Sequence, residues 1–172
     1  TDYSQILKDE VALSKEKMKK INLKLIARSV VDDFNNIYEA KRGIKIILND
    51  QDDQEEYFIN GIENRIEQII ANLLDNSISF SEDNKKILVE IYKGDKDKII
   101  LKVIDEGKGF KETDTKKIFN RFYSNRPDTF GEHSGLGLNI VKNLVELHSA
   151  TINASNNVTQ EGANVEIVFP KV

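Results

Sequence analysis

Four short blocks, each placed against a predicted helix or strand, constrain this chain more than any other feature of its sequence. In chain order they cover residues 65–80, 105–110, 118–123 and 134–140, which read RIEQIIANLLDNSISF, DEGKGF, IFNRFY and SGLGLNI. The first repeats polar residues at a helical interval, the second and fourth contain paired glycines, and the third is aromatic. Each block alone is a weak signal, but the four in this order restrict both the fold and the chemistry of the chain.

The segments around the blocks predict a mixture of helices and strands. Hydrophobic periodicity predicts helices over residues 3–20, 22–40, 62–79, 115–122 and 136–148. Short apolar runs predict strands over residues 44–48, 57–60, 86–92, 98–105, 150–154 and 164–169. Asn22 is predicted to cap the second helix, Gly43 to end it in the left-handed conformation, and Gly94-Asp95 to turn a hairpin. This mixture predicts an α/β two-layer fold without the regular alternation of a doubly wound sheet.

Composition and charge argue against several kinds of site. The 172 residues suffice for one ordinary domain and a short appendage, and 39% hydrophobic with 31% charged residues are typical of a soluble globular protein. The net charge of −4 and the lack of a basic cluster interleaved with aromatics argue against nucleic-acid binding. Without cysteine, and with only His133 and His148, neither disulfides nor a zinc site are expected. No apolar run approaches the roughly 18 residues that span a bilayer, so no membrane contact by this segment is expected.

The helix predicted from residue 62 carries polar side chains along one face. Gln68, Asn72 and Asn76 follow one another at four-residue intervals, which places them on the same side of a helix. Apolar residues occupy the opposite side, namely Ile66, Ile69, Ile70, Leu73 and Leu74. Asparagine is a mediocre helix former, so its repetition here indicates either a solvated face or a ligand-binding face whose amide oxygens could coordinate a hard cation such as Mg²⁺.

The two glycine-containing blocks have features that suit nucleotide recognition. Asp105 ends an apolar strand and is followed by Gly107 and Gly109. Its carboxylate only accepts hydrogen bonds and could take an exocyclic amine, while the glycines would let the backbone approach a base; an ordinary turn shows the same pattern. Gly135 and Gly137 open the last predicted helix, whose free N–H groups suit a phosphate, although a hinge before a helix would look the same. Neither a P-loop nor a full dinucleotide-binding fingerprint is present.

The aromatic block leads into a polar stretch that we interpret as a lid. The three aromatics Phe119, Phe122 and Tyr123 would be core residues in most proteins, and here they are predicted to anchor the root of the segment 124–134. Such a lid would be mobile until a nucleotide orders it. Arginine engages phosphate oxygens in a fork, so Arg126 is the first candidate for a γ-phosphate contact and Arg121 the second; both could equally be surface residues.

In this order the blocks resemble the N box, first glycine box, F box and second glycine box of the GHKL superfamily, most closely those of its sensor histidine kinase branch. The resemblance runs from about Asn22 to the C-terminus. It implies an α/β two-layer sandwich of the Bergerat type, with a mixed sheet and three main helices on one face. It also implies the ATP-binding catalytic domain of a bacterial two-component sensor histidine kinase, with ATP and Mg²⁺ as cofactors.

The resemblance implies roles for individual positions of this sequence. Asn76 would coordinate Mg²⁺ and Asp105 would bind the adenine amine. Phe80 falls where family members place an aromatic against the purine, although a core role would fit it equally well. Asn72, Asn76 and Arg126 form the predicted catalytic set. The positions expected to bind ATP are Asn72, Asn76, Ser79, Phe80, Asp105, Gly107, Gly109, Arg121, Phe122, Arg126, Ser134, Gly135, Leu136, Gly137 and Leu138.

Several positions depart from the family's pattern. Ser79 stands where a lysine usually faces the phosphates, which removes one positive charge, and Ala163-Asn164 stand where threonines often lie near the base. Asn72 occupies the position at which gyrase-type and chaperone ATPases carry the glutamate that activates water. An amide cannot accept that proton, so transfer to an external acceptor is favoured over hydrolysis.

The phosphoacceptor is expected on a separate dimerisation domain, within a motif such as His-Glu/Asp-Leu-Arg-Thr-Pro that this sequence lacks. His133 and His148 have no such flanking acid and arginine. Residues 1–21 are predicted to be the tail of a dimerisation helix or a linker, and residues 22–172 the catalytic domain. The chain would therefore be an incomplete kinase, with the dimerisation domain of the same protein as its partner and a response regulator receiver as an indirect one. The parent protein is expected to be anchored in the inner membrane, with this portion in the cytoplasm.

Three alternatives to a histidine kinase remain open at the level of sequence. An anti-sigma-type serine kinase shares the boxes but is not preceded by the tail of a dimerisation helix. A GHKL ATPase is opposed by Asn72. A nucleotide-binding pseudokinase or interaction module is supported only by the departures at Ser79 and at Ala163-Asn164.

Overall fold

The computed structural model of the chain describes residues 17–50, 56–110, 118–119, 136–158 and 160–172. Within these residues there are three α-helices, a one-turn 3-10 helix over Asp95–Asp97 and seven strands. The helices are α1 (Leu23–Arg42), α2 (Glu63–Ser79) and α3 (Leu136–Leu147). The strands are β1 (Lys19–Asn22), β2 (Lys45–Asp50), β3 (Phe58–Gly61), β4 (Lys86–Lys93), β5 (Ile99–Asp105), β6 (Thr151–Asn156) and β7 (Ala163–Phe169).

Five of the strands form one mixed sheet in the order β2-β4-β5-β7-β6. β2 runs parallel to β4, which requires a crossover connection, and α2 lies within that connection. The other neighbouring strands are antiparallel. Ile104 is paired with Asn164, so the end of β5 and the start of β7 lie side by side at one edge of the sheet. β1 and β3 form a separate antiparallel pair.

One face of the main sheet forms the core, and the pattern along each strand shows which face. On β5, Leu101 and Val103 are buried, whereas Lys102 between them is partly exposed. Successive strand residues point to opposite faces, so this alternation distinguishes a buried face from an open one. Apolar residues of α2, including Ile66 and Ile70, are fully buried in the same core. The predicted α/β two-layer sandwich, with three main helices against a mixed sheet, is confirmed.

The predicted signals at both ends of the second helix are also confirmed. The side chain of Asn22 accepts a hydrogen bond from the N–H of Lys24 at 3.1 Å. Gly43 has φ of 68° and donates its N–H to the carbonyl of Glu39. These contacts satisfy backbone groups that a helix leaves unpaired at its ends, so helix α1 begins and ends at residues with a local reason to do so.

The first strand corrects the predicted helix over residues 3–20, most of which lies outside the described residues. Lys19 and Lys20 are extended and belong to β1, where Ile21 is paired with Ile59 of β3. The ammonium of Lys20 also lies 4.6 Å from the centre of the Phe58 ring. These contacts bring together segments about 40 residues apart, which a local helical pattern cannot reveal. The predicted domain boundary at residues 21–22 remains a prediction.

Candidate functional site

Asp105 is the most firmly held polar residue at the carboxyl end of β5. Only 1% of it is exposed. Its Oδ1 accepts hydrogen bonds from the backbone N–H groups of Gly107 and Ala163, both at 3.0 Å. Both bonds require this carboxylate to act as an acceptor. The orientation of the side chain is therefore determined by two strand ends rather than by solvent.

The glycines after Asp105 are required by close contacts within the protein. A Cβ at Gly107 would lie 2.6 Å from the carbonyl oxygen of Phe80, at the end of α2. Gly109 has φ of +79°, and a Cβ there would lie 2.5 Å from the Oδ1 of Asn156. A side chain at either position would push the loop away from its neighbours. The expected approach of this backbone to a base remains a prediction, but the loop does lie against the end of α2.

Helix α2 carries the polar stripe that its sequence predicts. Ile66, Ile69, Ile70, Leu73 and Leu74 are all buried, as expected for the apolar side. Asn72 and Asn76 are half-buried on the other side. Within the described part of the chain, neither amide makes a side-chain hydrogen bond. These two amides are therefore available to a ligand at the end of α2 that faces the Gly107 loop.

Ser79 cannot replace the lysine that the family usually has at this position. Its hydroxyl donates to the carbonyl oxygen of Asp75 at 2.8 Å, which directs it back along α2. Phe80 follows as the C-terminal cap of the helix and is half-buried. Its exposed part is compatible with contact to a base, while its buried part serves the core.

The end of α2 is fixed by an arginine from α1. The guanidinium of Arg42 donates to the carbonyl oxygens of Ile78 at 2.7 Å and Ser81 at 2.6 Å, and pairs with Asp83 at 2.8 Å. The last carbonyls of a helix have no partner within it, so these bonds stabilise the turn that carries Ser79 and Phe80. Sequence reasoning did not find this residue, because its partners lie at least 36 positions away.

The start of α3 lies beside the aromatic block. Gly137 is exposed with open space around it, and Leu138 is buried. The side chain of Asn139 donates to the carbonyl oxygen of Phe119 at 3.0 Å, and Phe119 itself is buried. Leu136 begins the helix. The remaining predicted residues, Arg121, Phe122, Arg126, Ser134 and Gly135, lie outside the described residues, as do His133 and the predicted lid over 124–134.

His148 has a structural role. Its Nδ1 is 2.7 Å from the carbonyl oxygen of Leu144, and its Nε2 accepts the N–H of Ile62 at 3.1 Å. Burial holds the pKa of His148 below its ordinary value, although the bond to the Leu144 carbonyl acts in the opposite direction. Both ring nitrogens are thus engaged: Nδ1 contacts the last turn of α3, and Nε2 joins the end of α3 to the start of α2. This agrees with the expectation that His148 is not a phosphoacceptor.

The residues present fit Mg²⁺ only as an ion that arrives with phosphate. The described residues contain no group of three or more histidine, cysteine or acidic side chains that could hold a metal by themselves. The amide oxygen of Asn76 could supply one protein ligand. Mg²⁺ commonly takes one or two protein ligands and completes its shell with water and phosphate oxygens, so a single amide is compatible with it.

A cavity of about 310 Å³ lies at the other end of the sheet. Ile99, the first residue of β5, lines it, whereas Asp105 ends the same strand. Its polar lining includes Lys171, which pairs with Asp97 at 3.5 Å. This cavity is therefore separate from the candidate site, which is built around Asp105, the Gly107 loop and the end of α2.

Comparison with known proteins identifies the same family by its sequence model and by individual relatives. A family model described as histidine kinase-, DNA gyrase B-, and HSP90-like ATPase matches residues 61–172. The sensor protein ChvG of Rhizobium meliloti (strain 1021) is 33% identical over 168 residues, which cover 94% of this chain and 29% of ChvG. The sensor protein kinase PmrB of Pseudomonas aeruginosa is 28% identical over 156 residues, which cover 91% of this chain and 31% of PmrB. The chain thus spans less than a third of the length of these relatives.

Solved structures show the same fold. The catalytic domain of the histidine kinase ThkA superposes with a TM-score of 0.76 at 25% identity, covering 90% of this chain and 96% of that domain. The mycobacterial sensor histidine kinase MprB gives a TM-score of 0.73 at 21% identity, covering 89% of this chain and 97% of MprB. Among the helices of the described residues, none combines the length and apolar character needed to cross a membrane.

Proposed function

Because this chain belongs to the family of histidine kinase-, DNA gyrase B-, and HSP90-like ATPases, we propose that it is the ATP-binding catalytic domain of a sensor histidine kinase. It binds Mg²⁺-ATP and donates the γ-phosphate to a histidine on a separate dimerisation domain. The observation that carries this proposal is the buried carboxylate of Asp105 beside a loop that lies against the polar end of α2.

In this proposal, different described residues bind different parts of the nucleotide. Asp105 accepts a hydrogen bond from the adenine amine, and Phe80 lies against the purine. Asn76 supplies an amide oxygen to the metal, which when bound neutralises charge on the phosphates. The N-terminus of α3, at Leu136 and Gly137, provides backbone N–H groups for a phosphate. Catalysis by such a site is mostly positioning and charge neutralisation.

Arginine residues outside the described part of the chain complete this assignment. Arg126 contacts the γ-phosphate from the predicted lid, and Arg121 is the second candidate for that contact. Their role gains importance because Ser79 directs its hydroxyl into α2 and adds no positive charge. The site therefore depends on cations from other segments.

Phosphoryl transfer is favoured over hydrolysis by the chemistry of Asn72. A hydrolytic site needs a general base for water, and an amide does not accept a proton at neutral pH. His148 does not replace that base, since both of its ring nitrogens are engaged with backbone groups. The relatives named above are a sensor protein and a sensor protein kinase, and the ThkA domain is that of a histidine kinase, which supports transfer to a histidine rather than to serine or water.

The proposal extends to partners and to location. The chain works with the dimerisation domain of its own parent protein, and the residues that precede β1 are the tail of that domain's second helix or a linker. In one solved structure ThkA is in complex with the response regulator protein TrrA, at 23% identity and a TM-score of 0.74 to this chain. A receiver domain of that class is the indirect partner of this kinase. The chain is the cytoplasmic portion of a membrane-anchored sensor.

Replacement of Asp105 by alanine tests the central assignment. Loss of a charged hydrogen bond at a buried site lowers affinity by roughly 10- to 150-fold. Because the base is common to both nucleotides, Asp105→Ala should weaken ATP and ADP alike in calorimetric titration with Mg²⁺. Asp33→Ala, at an exposed position of α1, is the matched control and should bind as the parent does. Parent-like ATP affinity in the Asp105→Ala protein would show that the adenine assignment is wrong.

A further inference from the structure

We propose that Asn156 and Asn157, at the end of β6, are positioning residues that hold Asp105 and its loop and thereby set the selectivity for a 6-aminopurine. The inference rests on the proposed function, since it concerns the base-binding part of the same site. Neither residue belongs to the four sequence blocks. Asn156 is the last residue of β6 and Asn157 the first of the β6–β7 connection, and their contacts cross to the end of β5 and the loop that follows it.

Asn157 ties the β6–β7 connection to the backbone of Asp105. Its side-chain Nδ2 donates to the carbonyl oxygen of Asp105 at 3.0 Å and lies 3.5 Å from that of Glu161. Its own backbone N–H donates to the carbonyl oxygen of Gly162 at 2.9 Å. Asn157 thus bonds to both ends of the β6–β7 connection and attaches this connection to the end of β5.

The side chain of Asn156 binds the loop after Asp105 through two hydrogen bonds to one backbone residue, as a neighbouring strand would. Its Oδ1 accepts the N–H of Phe110 at 2.7 Å, and its Nδ2 donates to the carbonyl oxygen of the same residue at 3.0 Å. A single amide side chain therefore satisfies both backbone groups of Phe110. Gly109 lies against this amide, and only a residue without a Cβ fits there.

Gly162 allows the closest approach between the two segments. It has φ of +133°, and a Cβ at this position would overlap the carbonyl oxygen of Asp105. This approach brings the N–H of Ala163 to the Oδ1 of Asp105. The carboxylate is consequently held from its own loop by Gly107 and from β7 by Ala163, while Asn157 holds its backbone.

The fixed acceptor character of Asp105 is what discriminates between bases. Two N–H donors already require Oδ1 to accept, and a carboxylate accepts only. The 6-amino group of adenine is a donor and matches it, whereas the 6-oxo group of hypoxanthine is an acceptor and is repelled. Discrimination of this kind depends on polar groups that cannot move to a better partner. Loss of Asn156 or Asn157 frees the loop to move, so selectivity should fall.

The test compares ATP with inosine triphosphate, which differs at the 6-position and keeps the triphosphate. Calorimetric titrations with Mg²⁺ would use the 172-residue chain and the variants Asn156→Ala and Asn157→Ala. Loss of one neutral hydrogen bond, as in Asn157→Ala, should weaken ATP binding by about 2- to 12-fold and leave the binding of inosine triphosphate nearly unchanged. Asn156→Ala, which removes two bonds, should weaken ATP binding at least as far. Asn153→Ala, at an exposed position of the same strand, is the control and should keep the parent's ratio of affinities.

A shape-preserving variant separates positioning from folding. Asn157→Asp keeps the size of the side chain but turns an oxygen toward the carbonyl of Asp105, so it should lose selectivity at least as far as Asn157→Ala. An unchanged ratio of ATP affinity to inosine triphosphate affinity in these variants would overturn the inference. It would not contradict the proposed function, because the parent chain would still bind ATP. Equal losses for both nucleotides, together with a lower Tm, would show a merely structural role and also overturn it. A parent chain that binds neither nucleotide would instead refute the proposed function.

Discussion

At the scale of the residue, Asp105 and Asn76 differ in the chemical group that they present to a ligand, and this difference determines which part of a nucleotide each can bind. Asp105 is almost fully buried, and its Oδ1 accepts two N–H groups, so it suits a further donor such as an amine. Asn76 is half-buried, and its carbonyl oxygen suits a cation. Loss of Asp105 should therefore affect all adenine nucleotides, whereas loss of Asn76 should affect only binding that depends on metal.

Replacement of Asn76 by alanine should abolish the Mg²⁺-dependent part of ATP affinity. The amide oxygen is the protein ligand that the variant removes, and metal-free binding through the base does not need it. Calorimetric titration of ATP with Mg²⁺ and with a chelator measures the two contributions separately. Gln68→Ala, on the same stripe two turns earlier, should retain the parent's response to Mg²⁺. An unchanged Mg²⁺ dependence in the Asn76→Ala protein would contradict the metal assignment.

Residues whose chemistry is visible within one block can be proposed as site residues from the sequence, whereas residues that act through contacts across the fold cannot. Asp105 and Asn76 lie at block positions whose chemistry is visible locally. Asn156 and Asn157 look like ordinary turn residues, because their partners Phe110 and Asp105 are 46 and 52 positions away. The hydroxyl of Ser79 could equally have faced a phosphate, and only the structure shows that it bonds to Asp75.

At the scale of the element, the end of α2 depends on α1 through Arg42. Replacement by alanine leaves the carbonyl oxygens of Ile78 and Ser81 without this donor, which should lower the free energy of unfolding by about 1–3 kcal/mol. Urea unfolding measures the change. Arg28→Ala is the control from the same helix, since its half-exposed pair with Asp50 should contribute only about 0–1 kcal/mol. Equal effects of the two variants would contradict a specific role for Arg42.

The junction between α3 and α2 should respond to pH through His148. Its pKa is lowered in the folded chain, so the unfolded chain binds the additional proton first as pH falls. The contribution of His148 to the free energy of unfolding is therefore fully present above about pH 6.5 and is lost as the pH falls below that value. The free energy of unfolding should change by at most about 1.4 kcal/mol per pH unit through this group. Urea unfolding between pH 5 and 8 measures this slope.

His148→Gln provides the comparison for that slope. Glutamine can still accept the N–H of Ile62 but does not titrate, so the variant should lose the part of the pH dependence due to this residue. It should also be less stable than the parent at neutral pH, because the bond to Leu144 is removed. Identical pH slopes for the two proteins would show that His148 does not titrate on unfolding in this range.

The sequence predicts the bounds of elements with local signals to within a few residues, whereas it does not predict strand β1, which has no such signal. Helix α1 has Asn22 and Gly43 at its ends, and β4 and β5 flank the predicted turn at Gly94-Asp95. β1 has no pattern of its own, since Lys19 and Lys20 fit a charged helix equally well. Its pairing with β3 decides its conformation, and this is a tertiary contact.

At the scale of the whole molecule, the two ends of the main sheet have different surroundings. Asp105, the Gly107 loop and the end of α2 meet at one end, and this is where the base and metal are proposed to bind. β1, through which residues 1–16 connect to the described part of the chain, pairs with β3, and its Lys20 lines the cavity at the other end. The proposed connection to a dimerisation domain and the proposed nucleotide site therefore lie at opposite ends of β5.

The chain alone should therefore bind ATP without labelling itself. Asn72 cannot activate water, both ring nitrogens of His148 are engaged, and the sequence lacks the acceptor motif. Incubation with γ-labelled ATP should give no acid-labile phosphoprotein and only traces of free phosphate. Adding the dimerisation domain of its own full-length kinase should restore labelling on that domain. The labelling should be weak, since separation forfeits the effective concentration that a covalent link provides. At ATP concentrations below saturation, Asp105→Ala should lower this labelling in line with its weaker ATP binding. Stoichiometric labelling of His133 or His148, or fast release of phosphate, would contradict a donor domain.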